Sequence, residues 1–211
     1  MNKKELVQFL SSKNVETDFI SKIKIAYRPY VCPFDEILEL LGKNKSVFDV
    51  GCGSGMLLAL IAEYQSPRKL GGLEISQDLV NNAKTLLEDY SVPVSISLQN
   101  GQEFPEEIKD YDFVTMIDVL HHVPQELQMN YLVNLLKSMK KGSRLIFKDI
   151  DASNPLVVFN KMHDLIFAKQ IVHERSFKEM IKFFKKEKVE IEIAYCKRML
   201  YFPHYMIMIK K

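Results

Sequence analysis

Residues 47–56 read VFDVGCGSGM: a short apolar run ends in three glycines at alternate positions, and an apolar helical pattern, MLLALIAEY, begins at once behind them. Glycine takes left-handed backbone without strain, so this spacing specifies a tight strand-to-helix turn whose bare backbone can lie close to a ligand. Such a unit cannot bury its apolar surface alone; it needs a sheet with helices packed on it. The downstream pattern keeps the same alternation. KLGGLEI (69–75) reads as a strand and the stretch from Gln77 to about Tyr90 as a helix. VSISL (94–98), YDFVTMI (111–117) and SRLIFKDI (143–150) read as further strands, with LQMNYLVNLLKSMKK (127–141) an amphipathic helix between the last two. This alternation predicts an α/β fold with a doubly wound parallel sheet and its functional edge at the carboxyl ends of the strands. VEIEIAY (189–195) and HYMIMIK (204–210) are joined only by CKRMLYFP, which is too short for a helical crossover, so they are expected to pair antiparallel. The expected sheet is seven-stranded and mostly parallel, with an antiparallel last strand. Ahead of it, ELVQFL, DFISKIKIAY and PFDEILELL read as helices interrupted by Pro29 and Pro33, with Gly42 as a terminator.

At 211 residues and 47% hydrophobic, the chain can bury one core, and no repeat or Pro/Gly/Ser-rich linker divides it. A single domain is expected. Cys32, Cys52 and Cys196 are odd in number and follow neither disulfide nor metal-ligand spacing, which predicts a reduced, cytoplasmic protein without a metal. The apolar stretch of MNKKELVQFL is too short for a signal sequence, and no run is long enough to span a membrane. From Lys161 onward there are 12 Lys/Arg against 6 Asp/Glu, but in FKEMIKFFKKEK the lysines alternate with apolar residues at helical spacing. That is the pattern of a solvated helix face rather than a polyanion surface.

The glycine loop is not that of a dinucleotide site. Gly51, Gly53 and Gly55 are spaced G-x-G-x-G, and Met56 stands where G-x-G-x-x-G requires its third glycine. Asp49, two residues ahead of the loop, would repel a pyrophosphate but favour an ammonium group. Glu74, at the end of the second predicted strand, can accept hydrogen bonds from both hydroxyls of a ribose. Together these residues suit a zwitterion attached to a nucleoside.

In this loop, in the strand pattern and in IDVLHHVP (117–124), the chain from about Ser46 onward resembles the class I S-adenosylmethionine (SAM)-dependent methyltransferases of the small-molecule type. The resemblance implies SAM as cofactor, bound by Asp49, Gly51, Cys52, Gly53, Gly55, Glu74 and Ile75. It implies that QNGQEFP (99–105) lines the adenine, with Asn100 where the family usually has aspartate and Gly101 beside it. It also implies that the backbone of Asp118 and Val119 lies against the cofactor. The expected organisation is a helical cap (1–44), a cofactor-binding core (45–150), a helical lid or insert (151–187) and a C-terminal hairpin (188–211). Enzymes of this group that methylate base amines or side-chain amides carry an Asn/Asp-Pro-Pro-aromatic segment after the fourth strand, where this chain has Asp118-Val-Leu-His121. The ribose 2′-O-methyltransferases use a Lys-Asp-Lys-Glu tetrad. Asp118 and Lys148 would match its middle pair, but His204 and Tyr205 stand near the position of the final glutamate. The expected acceptor is therefore a small apolar or aromatic molecule methylated by in-line transfer. An RNA methyltransferase is the alternative, and a SAM-binding partner protein without catalysis a second.

The candidate catalytic residues are His122, Lys148 and Asp149, with His122 ranked above His121 as a base because a histidine at the mouth of a site titrates near neutrality. A capping or packing histidine is the competing reading. By strand periodicity Asp149 and Asp151 share a face and Lys148 lies opposite; a helix cap at Asp151 or Ser153 is the structural alternative. Arg28, between Tyr27 and Tyr30, offers a guanidinium to a carboxylate. Arg28, Asp151, His163 and Phe167 are the candidate acceptor-binding residues. Phe159, Met162, Ile166 and Phe167 recur at helical spacing, as a lid over the acceptor, a dimer surface or core would.

Overall fold

A computed structural model describes residues 3–12, 28–99, 103–167 and 171–211. The chain divides into two compact units, Met1–Asn100 and Gly101–Lys211. The predicted helix DFISKIKIAY lies outside the described residues.

The first unit contains α1 (Lys3–Ser12), α2 (Phe34–Leu41), β1 (Ser46–Val50), α3 (Met56–Gln65), β2 (Lys69–Glu74), α4 (Gln77–Leu87) and β3 (Val94–Leu98). All of β1 is buried, and β2 is buried from Leu70 to Glu74, so neither strand shows the inside–outside alternation of a half-exposed one. β1 pairs parallel with β2, and β2 with β3. α2 buries Phe34, Ile37, Leu38 and Leu41, a stripe at i, i+3, i+4 and i+7. α4 begins at Ser76, whose hydroxyl accepts from the Leu79 amide, and buries Val80, Ala83, Leu86 and Leu87.

The second unit contains β4 (Phe113–Ile117), α5 (Gln128–Ser138), β5 (Arg144–Ile150), α6 (Val157–Phe167), α7 (Phe177–Lys186), β6 (Glu190–Met199) and β7 (Phe202–Lys210), with short 3-10 turns at Glu106–Asp110 and Leu120–His122. β4 and β5 are parallel, and β7 runs antiparallel to both β5 and β6. The seven strands follow the order β3-β2-β1-β4-β5-β7-β6. The expected fold class is therefore the observed one.

Most of the linker expected between the last two strands is itself strand. β6 runs on to Met199 and β7 starts at Phe202, leaving a turn at Leu200–Tyr201. Within the expected insert 151–187, helix is described over Val157–Phe167 and Phe177–Lys186. α7 starts with a capping box in which Ser176 and Glu179 each bond the other's backbone, and it packs Phe184 on Phe147 of β5 at 5.8 Å. Among the described residues no helix is long and apolar enough to cross a membrane, and no three His, Cys, Asp or Glu residues are grouped to hold a metal.

Candidate active site

In the first unit the glycine loop hangs from the end of β2. The amides of Gly51 and Cys52 both donate to the Leu73 carbonyl, at 2.9 and 3.0 Å. The Gly53 amide donates to Glu74 Oε2 at 2.9 Å, while Glu74 Oε1 accepts from the amides of Ile75 and Ser76 at 2.8 and 3.2 Å. Glu74, only 8% exposed, thus braces the loop. A carboxylate has about four lone-pair directions, so three backbone donors leave room for roughly one more.

Two of the glycines serve different ends. Gly55 (φ +81) lies against α4, and a Cβ there would stand 3.0 Å from the Ala83 Cβ and 3.1 Å from its Cα. Gly53 (φ +54) faces open space, where a Cβ would meet nothing within 4 Å. Open space over a bare backbone, with buried Asp49 at the head of the loop, fits the methionine moiety of SAM. Cys52 is buried, and burial, followed by the charges of Asp49 and Glu74, pushes its thiol well above the usual range. It remains a thiol rather than a nucleophile. Ile75 is 69% exposed, and Arg28 is half-buried. Tyr27, Asn100 and Gly101 lie outside the described residues.

The second unit gathers most of the remaining candidates. Asp118 leaves β4 with left-handed backbone (φ 57), and its amide donates to the Lys148 carbonyl at 2.9 Å. Lys148 has no exposed surface, and its Nζ lies 2.6 and 2.7 Å from the two Asp118 oxygens. Val119 follows, half-buried. One residue beyond Lys148, Asp149 is buried; its Oδ1 meets His121 Nδ1 in a short hydrogen bond and accepts from the Ile150 amide at 2.8 Å, while Oδ2 accepts from the His121 amide at 3.3 Å. His121 is 3% exposed, whereas His122 is exposed, its ring tilted at 45° to that of His121 with the centroids 4.2 Å apart. The histidine placed on the carboxylate is therefore His121, the one the sequence ranks lower, because the 3-10 turn points it inward. Nδ1 is thus committed to Asp149, which leaves Nε2 as the ring's other nitrogen.

Gln128 carries no sequence signal, yet it builds this turn. Its Nε2 donates to the carbonyls of Leu120, Val123 and His173 at 3.0, 3.1 and 2.7 Å, and its Oε1 accepts from Arg175 Nε at 2.6 Å. Asp151 acts as a cap: Oδ1 accepts from the Ser153 amide and hydroxyl at 3.0 and 2.8 Å and from the Phe177 amide at 3.1 Å. His163 and Phe167 fall within α6, but their side chains lie outside what is described.

A seven-stranded sheet of this order, with a glycine loop closing on an acidic strand end, defines a Rossmann-like methyltransferase fold. The chain belongs to the methyltransferase domain family, which it matches over residues 25–189. It is similar to the ubiquinone biosynthesis O-methyltransferase of Coxiella burnetii, with 28% identity over 109 residues covering 52% of this chain and 45% of that protein. It is also similar to the mitochondrial ubiquinone biosynthesis O-methyltransferase of Candida albicans, with 27% identity over 187 residues covering 81% and 55%. The chain spans about half the length of these curated relatives. In fold it is similar to magnesium protoporphyrin IX methyltransferase from Synechocystis PCC 6803 with bound SAH, at a TM-score of 0.70 and 17% identity over all of both chains.

Proposed function

We propose that this protein transfers the methyl group of SAM to an oxygen of a small apolar or aromatic acceptor. The observation that carries this reading is the buried His121–Asp149 pair. A hydroxyl must give up its proton as its oxygen attacks a methyl group, and an imidazole oriented by a carboxylate is suited to receive it. Asp149 fixes the tautomer and stabilises the imidazolium that forms. SAM supplies an electrophilic methyl on a sulfonium; Asp49, Gly53 and Glu74 would hold it, and much of the rate comes from keeping nucleophile and methyl in line. The O-methyltransferase names of the relatives support oxygen as the acceptor atom.

Within the 151–187 segment α6 is read as a lid over the acceptor, supported by exposed Val158, Phe159, Met162 and Leu165, whereas α7 buries Met180 and Phe184 and packs on β5. Asp151, His163 and Phe167 belong to that proposal, and Arg28 to the acceptor or the SAM carboxylate. A cytoplasmic location is supported by three cysteines that form no disulfide. The RNA reading draws on the Asp118–Lys148 pair, but there the lysine is already held by both carboxylate oxygens.

Calorimetric titration with S-adenosylhomocysteine, followed by labelling of cell extracts with methyl-labelled SAM, tests the proposal. Label is expected in the small-molecule fraction, to survive nuclease, and to be lost with His121→Asn but not with His122→Gln. Nuclease-sensitive label in macromolecules would establish RNA as the acceptor. Heat without transfer would leave a binding protein, and no heat from folded protein would exclude SAM altogether.

A further inference from the structure

Two unmet hydrogen-bonding capacities belong to residues that share one face of a pair of strands. Asp149 of β5 is the register partner of Tyr205 of β7. Residues directly opposite in an antiparallel pair share a face of the sheet. Phe147, two residues back on that face, meets the Tyr205 ring at 5.8 Å, and Phe177 of α7 meets it at the same distance from the other element. Tyr205 is 1% exposed, and among the described residues its hydroxyl has no hydrogen-bond partner. On the other strand Asp149 Oδ1 serves two donors, while among the described residues Oδ2 takes only the His121 amide, at 3.3 Å. A buried hydroxyl without an acceptor is a standing cost, and a carboxylate oxygen with one long contact has room for another donor. Burial, then the charge of Asp149 above those of Asp151, Glu179 and Asp118, keeps the Tyr205 phenol protonated and hence a donor.

We propose that Tyr205 is a positioning residue of the His121–Asp149 pair, its hydroxyl closing on Asp149 Oδ2 in the working state and so setting the proton affinity of His121. A donor on the carboxylate draws charge away from the imidazole and weakens its hold on the imidazolium. Removing the hydroxyl therefore makes His121 more basic. The other groups around the cluster stay in place on this change: the Lys148–Asp118 pair on the opposite face of β5, His122 against the His121 ring, Asp151 at the strand exit, Glu179 on α7, His204 beside Tyr205, and Cys196 opposite it on β6. The proposal rests on reading His121–Asp149 as the proton-handling pair. Its test needs neither acceptor nor SAM, so the two can fail separately.

The experiment is an NMR titration of the protein with isotope-labelled histidine, the His121 signal being assigned by its loss in His121→Asn. Tyr205→Phe is expected to raise the His121 midpoint by about half a pH unit while leaving His173 unmoved. An unchanged His121 midpoint would overturn the proposal. If Tyr205→Phe does not fold, replacing tyrosine with fluorotyrosine makes the phenol a stronger donor. The midpoint must then fall, and a midpoint that stays or rises is equally fatal.

Discussion

Lys148 is wholly buried and gives both carboxylate oxygens of Asp118 an ammonium contact, at 2.6 and 2.7 Å. Asp118 itself stands in left-handed backbone, a conformation that short polar residues tolerate and β-branched ones do not. The pair therefore fixes the chain as it leaves β4. Lys148→Met is expected to cost about 3 kcal/mol, because it leaves a carboxylate without its counter-charge, and adding Asp118→Asn should restore most of the loss. Urea denaturation of the two single variants and the double variant measures the coupling. A Lys148→Met protein as stable as its parent would show that the lysine is not structural.

Substitutions at the two glycines separate folding from binding. Gly55→Ala combines left-handed strain with a Cβ pressed on Ala83, and should lower stability by about 2 kcal/mol. Gly53→Ala meets only the strain, of about 1–2 kcal/mol, but puts a methyl group into the open space above the loop. Thermal melts should rank Gly55→Ala as the more damaging, whereas calorimetry should show that Gly53→Ala alone weakens S-adenosylhomocysteine binding by protein that is still folded.

Glu74→Gln replaces a carboxylate that accepts three backbone amides with an amide carrying one acceptor oxygen. Loss of a charge-assisted hydrogen bond is worth about 1.5–3 kcal/mol, so affinity for S-adenosylhomocysteine should fall about ten- to hundredfold. Unchanged affinity would mean that Glu74 only shapes the turn.

The start of α7 gives a pH-dependent prediction. Hydrogen bonds from the Ser176 amide and hydroxyl hold the Glu179 carboxyl below its usual value. A carboxyl with a lowered pKa contributes stability that is complete above its unfolded-state value and is lost as pH falls through the folded-state value. Ser176→Ala should cost about 1 kcal/mol near neutrality. The difference from the parent should narrow as pH falls below the ordinary carboxylate range and Glu179 takes up a proton in both. Melts across that range check the sign.

β1 and β3 were legible because each is a short β-rich run between breakers; SVFDV and VSISL coincide with them at both ends. Lys148 was not legible as buried, since a lysine near the end of a strand reads as an exit until Asp118, thirty residues earlier in the sequence, supplies its counter-charge. The choice between His121 and His122 was equally closed to local pattern. Two adjacent histidines have the same composition signal, and the one that turns inward is decided by Gln128 and Arg175, which lock the turn from distant elements. Tyr205 read as one residue of an apolar strand, and only its register with Asp149 marks it out. The glycine loop could be read in full because its geometry is a property of glycine itself.

The place of β7 between β5 and β6 sets an order of events during synthesis. β5 emerges from the ribosome with one edge unpaired, and that edge stays bare until α6, α7 and β6 have been made and Phe202–Lys210 has followed them. Leu145, Ile146 and Phe147, all without exposed surface in the finished protein, are uncovered in the interval. A long-range pairing closed late is slow, and an open apolar strand edge recruits other chains. Nascent chains arrested before Phe202 are thus the species that would call on chaperones or aggregate, and the speed of translation through α6–β6 becomes a determinant of yield.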